Sequence, residues 1–501
     1  MRRIPLGIGD LVRLGAMATL ILTVRALPVA AQAPTAVSRP NGAAVLTGSL
    51  RMRGEHWDWF GDESVGRYDY VGALARAGVS QSWTRASWSI ELAAPVLIGL
   101  PSDAVVATPR GQLGLGGTYF AANDQEKSPA SVFVKQAFVR IGQPLARGGH
   151  ALRLGRFEFA DGTEMTPRHA TLVALKRDHI AHRLLGTFGW SHVGRSFDGV
   201  HYSFDRPGRV NLTALAALPT RGVFDVEGMS SLDVRVGYAA ATKAFAWRGG
   251  SGEGRLFSVA YQDRRPVVKI DNRPLVARQA EAADIRLGTL GAHYIHIAPT
   301  RAGEVDLLFW GAVQGGDWGA LRQSANAGAA EIGFQPGRTQ ARGAAFMQPW
   351  LRAGWFRGSG DGDPTDGRNG TFFQILPTPR IYARMPFYNL MNIEDVFGSL
   401  SLGTARVSLR AEIHGLRLAE SADLWYQGGG AFEPQTFGYT GRPSGGRRAL
   451  AMLLDVGADV RFGALTLSAY MATARQRAVI QSLFPGGAGR LLFVEAAVRR
   501  Q

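Results

Sequence analysis

Residues 404–414 read TARVSLRAEIH, and their apolar and polar side chains alternate with a period of two. On an extended strand, alternate side chains point to opposite faces of the sheet. One face would carry Ala405, Val407, Leu409, Ala411 and Ile413, and the other Arg406, Ser408, Arg410, Glu412 and His414. The segment therefore predicts a β-strand that separates an apolar environment from a charged, wetted one.

The same alternation recurs in other segments along the chain. Four examples are SLRMRGE (49–55), SWSIEL (87–92), DIRLG (284–288) and LLDVGADVRF (453–462). A soluble β-sandwich would also alternate, but several of these polar faces mix Arg with Asp or Glu, as the lining of a water-filled lumen would. On this interpretation Ile285 and Leu287 face lipid, whereas Arg286 between them faces the lumen.

Aromatic residues cluster near the ends of several segments, as expected at the two interfaces of a membrane barrel. They are Trp57, Trp59, Phe60, Tyr68, Tyr70, Trp350, Trp355, Phe356, Trp425 and Tyr426. Short turns such as FGAL (462–465) alternate with long Gly- and Asp-rich connections. The sequence predicts an all-β fold, a monomeric transmembrane antiparallel β-barrel of about 16–18 strands with long extracellular loops and short periplasmic turns.

The N-terminus indicates export from the cytoplasm. Arginines precede a short apolar run, LGAMATLILTV (14–24), and the small-residue stretch VAAQA (29–33) follows it. This layout predicts a signal peptide over residues 1–31 and a single outer-membrane barrel domain over 32–501. The apolar run is shorter than the roughly 20 residues that a membrane-spanning anchor needs. Cys is absent, which excludes a disulfide framework and thiol chemistry.

The excess of basic charge is almost entirely arginine. The formal net charge is +16, and only five of the 56 basic residues are lysines. A GC-rich genome, which favours Arg codons, would explain this bias without any function. Recognition of planar anions would also explain it, because guanidinium groups bind carboxylates bidentately and stay charged. No nucleic-acid partner is expected for an exported barrel, so the positions of the arginines must decide between these explanations.

Several longer segments resemble a known family. They are LRMRGEHWDWF (50–60), LRLGRFEF (152–159), RSFDGVHYSF (195–204), FWGAVQGGDWG (309–319), GSGDGDPTDGRNGTFFQILPTPRIYARMPFYNLMNIEDVFGSL (358–400) and LRLAESADLWYQGGGAF (416–432). In their order and spacing they resemble the alginate export family of outer-membrane β-barrels over most of the mature chain. The resemblance implies a monomeric barrel of roughly 18 strands with an arginine-rich lumen, through which a secreted polyuronate passes in the best-known members.

Strand alternation and the family motifs together identify candidate lumen arginines. Alternation selects Arg51, Arg53, Arg286, Arg406, Arg410 and Arg461, with Arg76, Arg140, Arg235 and Arg352 as further candidates, and the motifs GRFE and RSFDG add Arg156 and Arg195. One hypothesis is that some of them form a positive constriction along which a polyanion moves by exchanging bidentate contacts. The alternative is that they pair with lumenal acids such as Asp284, Glu412, Asp455 and Asp459 and only hold the wall together.

The stretch LPTPRIYARMPFYNLMNIEDVFG (376–398) is too apolar to lie bare in water, and its prolines forbid a regular helix or central strand. We predict that it belongs to a long connection that folds into the barrel mouth and acts as a gate. Tyr382, Phe387 and Tyr388 would pack against the wall or neighbouring loops, and Arg380 and Arg384 would face the solute path. Alternatively, the two arginines pair with Glu394 and Asp395.

Two groups of residues are candidate metal sites. GDGDPTDG (360–367) places Asp361, Asp363 and Asp366 on a Gly-rich loop, where carboxylates can hold a structural Ca²⁺ ion or serve only the turn. His179 and His182 are spaced for one face of a helix, although both can equally be ordinary loop residues. No other cofactor is expected. No G-x-S-x-G motif or supported catalytic pair occurs, so the protein is not expected to be an enzyme.

Three functional hypotheses remain open from the sequence. The first is a channel in the outer membrane of a Gram-negative bacterium that exports an anionic, alginate-like polysaccharide, with possible periplasmic export partners. The second is an anion-selective porin that imports small carboxylates through the same arginine lining. The third is a non-conducting envelope protein or an outer-membrane enzyme. The expected contacts are outer-membrane lipid and an anionic polymer or small anion.

Overall fold

A computed structural model of the chain describes residues 42–61, 65–142, 149–281, 283–337, 348–378, 382–484 and 486–500. The predicted signal peptide, residues 1–31, lies outside these ranges. Within them, eighteen antiparallel strands form one closed barrel, because the last strand pairs with the first. The predicted fold class is therefore confirmed, at the upper end of the predicted strand number.

The strands follow one another around the barrel in chain order. They are β1 (Ala44–Asp58), β2 (Arg67–Ser82), β3 (Ala86–Ile98), β4 (Phe133–Gly142), β5 (Gly149–Phe157), β6 (Phe197–Arg206), β7 (Val210–Pro219), β8 (Val234–Trp247), β9 (Gly250–Asp263), β10 (Ile285–Thr300), β11 (Gly303–Trp318), β12 (Leu321–Pro336), β13 (Gln348–Gly358), β14 (Arg368–Asn369), β15 (Ile393–Gly403), β16 (Val407–Arg417), β17 (Leu424–Gly428), β18 (Tyr439–Pro443), β19 (Ala449–Phe462), β20 (Leu465–Gln476) and β21 (Gly489–Arg500). Three of them lie outside the barrel wall: β14 adds a short parallel pairing to β12, and β17 and β18 form a separate hairpin.

Helices are few and short. The α-helices span Gly114–Ala122, Ala170–Leu175, Leu275–Gln279 and Ala478–Leu483, and one π-helical turn spans Lys176–Ile180. In the part of the chain that the structure describes, no helix is long and apolar enough to cross a membrane.

The two ends of the barrel differ in their connections. At one end the strands are joined by the short turns 83–85, 207–209, 248–249, 301–302, 404–406 and 463–464, and this end faces the periplasm. At the other end lie the long extracellular connections 99–132, 158–196, 264–284, 359–392 and 418–448. Because the wall is closed, its backbone groups are paired without a free sheet edge, as a membrane-spanning sheet requires.

An apolar belt covers the outside of the wall. Leu256, Leu290, Val313 and Ile413 are 67%, 63%, 58% and 47% exposed, and each alternates along its strand with a buried, inward residue. Exposed leucine and valine in this number would be unfavourable in water, since each square ångström of apolar surface removed from water contributes about 25 cal/mol. The belt therefore contacts outer-membrane lipid.

The long loops do not extend away from the barrel but fold into it. Phe60 at the end of β1 packs edge-on against Trp59 and against Phe387 from the 359–392 loop, with ring centroids 5.2 and 5.8 Å apart. Most of the aromatic residues expected at the membrane interfaces are buried in this way: Trp57, Trp59, Phe60, Tyr68, Tyr70, Phe356, Trp425 and Tyr426. The interface assignment was wrong for them, because they pack against loops inside the lumen. Trp355, which is 39% exposed, lies on the outer face.

Candidate functional site

Three of the predicted arginines project into the lumen from two strands of the wall. Arg51 and Arg53 lie on β1, and Arg410 lies on β16. Arg53 lies 2.9 Å from Glu55 and 3.5 Å from Glu495, and Arg410 lies 2.5 Å from Glu412. These arginines are thus partly neutralised by the wall itself, as the pairing alternative proposed.

Arg461 and Arg406 lie near the periplasmic end. Arg461, the penultimate residue of β19, shares the inward face with Asp455 and Asp459 and is exposed to the lumen. Arg406 is exposed in the short turn 404–406, where its backbone carbonyl accepts a hydrogen bond from the Arg461 N–H at 2.8 Å. Within the described ranges, neither guanidinium forms an ion pair.

Two predicted lumen arginines point the other way. Arg286 on β10 is 64% exposed on the outer face, between the buried, inward Ile285 and Leu287. Arg156 on β5 faces outward as well, where it binds Asp198 with two contacts of 2.7 Å. The lumen assignment of these two residues is corrected. Both lie at the extracellular ends of their strands, where the lumen is filled by apolar loop residues, so the inward face is apolar there.

Arg195 is buried in the loop interior and does not line the lumen. Its guanidinium donates to the carbonyl oxygens of Leu376 at 2.9 Å and of Gly429 at 2.8 Å, and it also contacts Gly186 and Ala431. Burial lowers the pKa of Arg195 to about 10. This side chain joins three loops, because the carbonyl groups it binds belong to 158–196, 359–392 and 418–448.

The 158–196 loop forms a plug that is attached to the wall by buried charges. Lys176 lies 2.6 Å from Glu253 on β9, and His179 lies 3.0 Å from Glu331 on β12. Glu164 accepts a hydrogen bond from Arg255 at 3.0 Å. Burial lowers the pKa of Lys176, whereas the neighbouring Glu253 raises it. Removing one partner of such a pair strongly destabilises the protein, because the remaining charge stays buried.

A second part of the same plug is held through its backbone. Arg51 donates to the Gly189 carbonyl at 2.6 Å, and Arg53 donates to the Trp190 carbonyl at 2.5 Å. Lys135 on β4 donates to the Val193 carbonyl at 3.1 Å. The arginines that the sequence indicated for solute contact are thus also the groups that hold the plug.

His179 and His182 do not share a metal-binding face. His179 pairs with Glu331, and its ring stacks on Phe397 with centroids 6.0 Å apart. His182 lies 3.3 Å from the Thr378 hydroxyl, and burial lowers its pKa to about 4. The two side chains instead connect the plug to β12, β15 and the 359–392 loop.

The aromatic residues of the 359–392 loop pack inside the barrel. Tyr382 lies against Phe356 and Phe397 with centroids 5.6 and 5.1 Å apart, and Arg183 of the plug covers its ring. The Tyr388 hydroxyl donates to Asp395 at 3.2 Å. This loop and the plug therefore form one packed body inside the lumen.

Arg384 extends from the same loop toward the periplasmic half. It lies 3.9 Å from Asp459 and above the ring of Tyr470, and its side chain is about one-third exposed. It does not pair with Glu394, which binds Arg417 at 2.8 Å. Arg380 lies outside the described residues.

Asp361, Asp363 and Asp366 serve the conformation of their own loop. Asp361 accepts from the Asp363 N–H at 3.3 Å, Asp363 from the Thr365 N–H at 2.9 Å, and Asp366 from the Arg368 N–H at 2.8 Å. Burial raises the pKa of Asp361 to about 6. The structural Ca²⁺ ion in this loop remains a prediction.

A cavity of about 100 Å³ lies where five inward-folded loops meet. Aromatic side chains account for much of its lining: Trp59, Phe188, Trp190, Phe224, Tyr388, Phe432 and Tyr439. Gln112 and Gln427 contribute polar groups, and both bind the buried Arg442, whose guanidinium donates to the Gln112 carbonyl at 2.6 Å. Burial lowers the pKa of Arg442 to about 9.

The sequence analysis missed several residues of this region. Arg442 follows no alternating pattern, since it lies on a loop hairpin, and nothing in its neighbourhood along the chain indicates burial. Lys135 and Lys176 carried a signal in the sequence, because lysine is rare in this chain. The structure buries both side chains. A lysine binds a single carbonyl or carboxylate as a point charge, whereas the arginine fork suits planar, bidentate partners.

A closed barrel with an apolar belt, short periplasmic turns and a charged, plugged lumen defines an outer-membrane β-barrel channel. The profile of the alginate export family matches residues 116–462, and the chain belongs to this family. No curated protein matches the chain.

Solved structures of outer-membrane barrels resemble the whole chain. OccAB4 of Acinetobacter baumannii has a TM-score of 0.54 and 8% identity, covering 92% of this chain and 99% of that one. OccK9 (OpdG) of Pseudomonas aeruginosa has a TM-score of 0.52 and 11% identity, covering 91% and 98%. The outer membrane protein OpdK of Pseudomonas aeruginosa has a TM-score of 0.50 and 9% identity, covering 91% and 99%. At these identities the likeness shows the fold alone.

Proposed function

We propose that the protein exports an anionic, alginate-like polysaccharide through its lumen and that the plug must be displaced for transport. The observation that supports this proposal is a group of arginines along one sector of the lumen, Arg51, Arg384, Arg410 and Arg461, whose side chains all remain partly or fully exposed. Three of these arginines lie on β1, β16 and β19, which belong to one continuous stretch of the wall.

Carboxylates of a polyuronate suit these groups because guanidinium binds a carboxylate through two parallel hydrogen bonds. Several arginines spaced along one sector allow a polymer to leave one contact as it makes the next. Acidic neighbours such as Asp459 and Glu495 keep each contact weak enough to release, which conduction requires. Focused positive potential would also raise the local concentration of a polyanion.

The plug explains how such a channel would remain closed at rest. Arg51 and Arg53 donate to the plug backbone at Gly189 and Trp190, so a polyanion arriving from the periplasm competes for groups that hold the plug. The arriving polymer would then open the channel, which stays closed when no polymer is present. Periplasmic partners that deliver the polymer belong to this proposal and would meet the short-turn end.

A second candidate is the import of small carboxylates. The aromatic cavity with its adjacent buried Arg442 favours it, because a small anion fits such a chamber and a polymer does not. In this case the plug would remain in place during transport. Family membership indicates a channel rather than the third possibility, an enzyme.

Planar-bilayer recordings test the proposal. The wild-type channel should prefer anions in a KCl gradient, and uronate oligomers added on the periplasmic side should block the current more strongly than monomeric uronate or acetate. Cation preference, or indifference to oligomers, would reject the polyanion proposal. Equal block by monomers and oligomers would favour the import of small carboxylates.

Arg461→Glu should lower anion preference several-fold, since Arg461 is exposed to the lumen near the periplasmic mouth. Arg286→Glu is the matched control, because Arg286 is equally exposed but on the outer face. An equal effect of both variants would show that total charge, and not the lumen sector, sets the selectivity.

A further inference from the structure

A buried cluster of one histidine and two carboxylates lies in the wall at the boundary between plug and open lumen. Glu412, His414 and Asp455 are at most 2% exposed, and one ligand atom from each lies within 4.8 Å of the others. Within the described ranges, this is the only group of three or more such side chains with this spacing. The proposed transport path does not use it.

The ladder between β16 and β19 fixes the positions of the three side chains. Glu412 is directly opposite Asp455 in the register, and His414 lies two residues further along β16 on the same inward face. Directly opposed side chains have Cβ atoms about 5 Å apart, a distance at which two like charges destabilise a sheet. A cation between them would remove this repulsion.

One ring nitrogen of His414 is hydrogen-bonded, and the other has no hydrogen-bond partner among the described residues. Its Nδ1 lies 3.1 Å from both carboxylate oxygens of Asp395 on β15. Its Nε2 is buried and has no hydrogen-bond partner. A carboxylate that accepts from Nδ1 fixes the tautomer with the lone pair on Nε2, and this arrangement is typical of metal-ligating histidines. A buried ring nitrogen without a hydrogen-bond partner is otherwise destabilising.

The carboxylates are oriented by their own neighbours. Arg410 binds Glu412 at 2.5 Å, and the Tyr470 hydroxyl donates to Asp455 at 3.0 Å. Both contacts leave other carboxylate lone pairs free for a further partner, since each carboxylate offers about four acceptor positions. Three carboxylates, counting Asp395, therefore surround His414, and among the described residues Arg410 is the one guanidinium bound to them.

We propose that Glu412, His414 and Asp455 bind a divalent transition-metal ion, with Zn²⁺ as the representative case. His414 Nε2 and one oxygen from each carboxylate would be the ligands, and Asp395 would orient the imidazole. One nitrogen and two oxygens suit Zn²⁺ and related ions, whereas Ca²⁺ and Mg²⁺ take oxygen ligands. The ion would tie β16 to β19 beside the 359–392 loop, because Asp395 also accepts from Tyr388.

Metal titration of the full barrel in detergent tests this proposal. After chelator treatment and dialysis, the wild type should bind one equivalent of Zn²⁺ in competition with a chromophoric chelator, and Co²⁺ should give the visible absorption of a protein-bound ion. His414→Gln should weaken Zn²⁺ binding by about 100-fold or more, the upper end of what loss of even a supporting residue costs. His150→Gln is the control, because His150 is exposed on β5 and contacts only Tyr202 and Phe204 among the described residues.

Three results would overturn the proposal: no stoichiometric binding by the wild type, equal binding by His414→Gln and the control, or equal affinity for Ca²⁺. Heat-modified migration in SDS gels should establish that each variant is folded. Glu412→Gln and Asp455→Asn remove a charge without changing side-chain size, so they provide the same measurement if His414→Gln fails to fold. Anion selectivity of the channel is measured independently, so failure of the metal site leaves the transport proposal standing.

Discussion

The periplasmic and extracellular halves of the lumen are built from the same strands but present opposite chemistry. In the periplasmic half, Arg410 and Asp459 face the lumen, and Leu409 and Val460 alternate with them. In the extracellular half of β10, Leu287 faces the lumen at 4% exposure, and Arg286 faces outward at 64%. The upper half encloses folded loops. In the lower half the plug covers one side, where His169 lies 3.4 Å from Glu304 and Thr171 accepts a hydrogen bond from Gln335, whereas the side around Arg461 is exposed.

The difference shows that the contents of a barrel decide which face of a strand is apolar. Near the extracellular rim the loops present aromatic residues, so the wall around them is apolar on the inside, whereas deeper in the lumen buried wall charges such as Glu253 and Glu331 hold the plug. Where no plug fills the lumen, the inner face is hydrated and charged. The plug thus leaves only part of the periplasmic half open, and its removal should expose more of the charged inner face.

Removing the plug should have the largest effect. Replacing residues 166–190 with a Gly/Ser segment of equal length takes away Lys176, His179 and Arg183, and with them the buried contacts to the wall. Single-channel conductance should increase at least several-fold, because loop atoms that fill the lumen are lost.

The matched control replaces residues 362–367, which are mostly exposed, in the same way. Its conductance should stay at the wild-type value. If the plug variant also stays there, the path runs elsewhere and the distinction between the two halves has no functional meaning.

Breaking one buried ion pair should have a smaller effect in the same direction. Glu253→Gln leaves Lys176 buried without its carboxylate, a change that costs about 3–5 kcal/mol when a buried pair loses one partner. The docked plug should therefore open more often, seen as more frequent long openings in bilayer recordings and faster hydrogen exchange of the 176–185 amides.

Lys176→Met together with Glu253→Gln should recover part of the loss, because the uncompensated charge is removed as well. If the loss in the double variant equals the sum of the losses in Lys176→Met and Glu253→Gln, the two residues do not act as a pair. His293 lies 3.0 Å from Glu253 and faces the same amide in both variants, so its backbone exchange serves as an internal check.

Acidification should have the smallest effect on the plug. Burial lowers the pKa of His182 to about 4 and that of His192 well below its usual value, with the charge of Arg53 adding to the latter shift. Because both folded-state pKa values lie below about 6.5, the docked plug keeps its full stability above that pH and loses it as the pH falls toward 4. Open probability should rise over this window.

Asp161 opposes this trend, and it offers the control. Burial raises its pKa to about 6, so its protonation between pH 6 and 4 favours the docked state. Asp161→Asn should make the acid response steeper, whereas His182→Gln should make it shallower. Unchanged acid responses in both variants would show that other groups control the plug.

Much of the fold could be predicted from the sequence because lipid imposes a simple pattern. TARVSLRAEIH and LLDVGADVRF alternate as outward and inward faces, and Arg410, Asp455 and Asp459 point inward as expected. The aromatic clusters supported the right fold for a partly wrong reason, since most of them pack on the plug. For the candidate site, pairing with Glu412 was among the alternatives, but the outward Arg286, the buried Arg195 and the contacts to the plug were not foreseen.

The sequence by itself determined a membrane barrel and the positions of several of its strands. A strand in lipid must pair its backbone on both edges and present apolar side chains on its outer face. The apolar outer face appears in the sequence as an alternation with a period of two. Only the tertiary structure decided which face points inward around the plug, which arginines are bound to it, and that Glu412, His414 and Asp455 meet Asp395. Those relations join residues from β15, β16 and β19 or from distant loops, and no local pattern encodes a contact between separate strands.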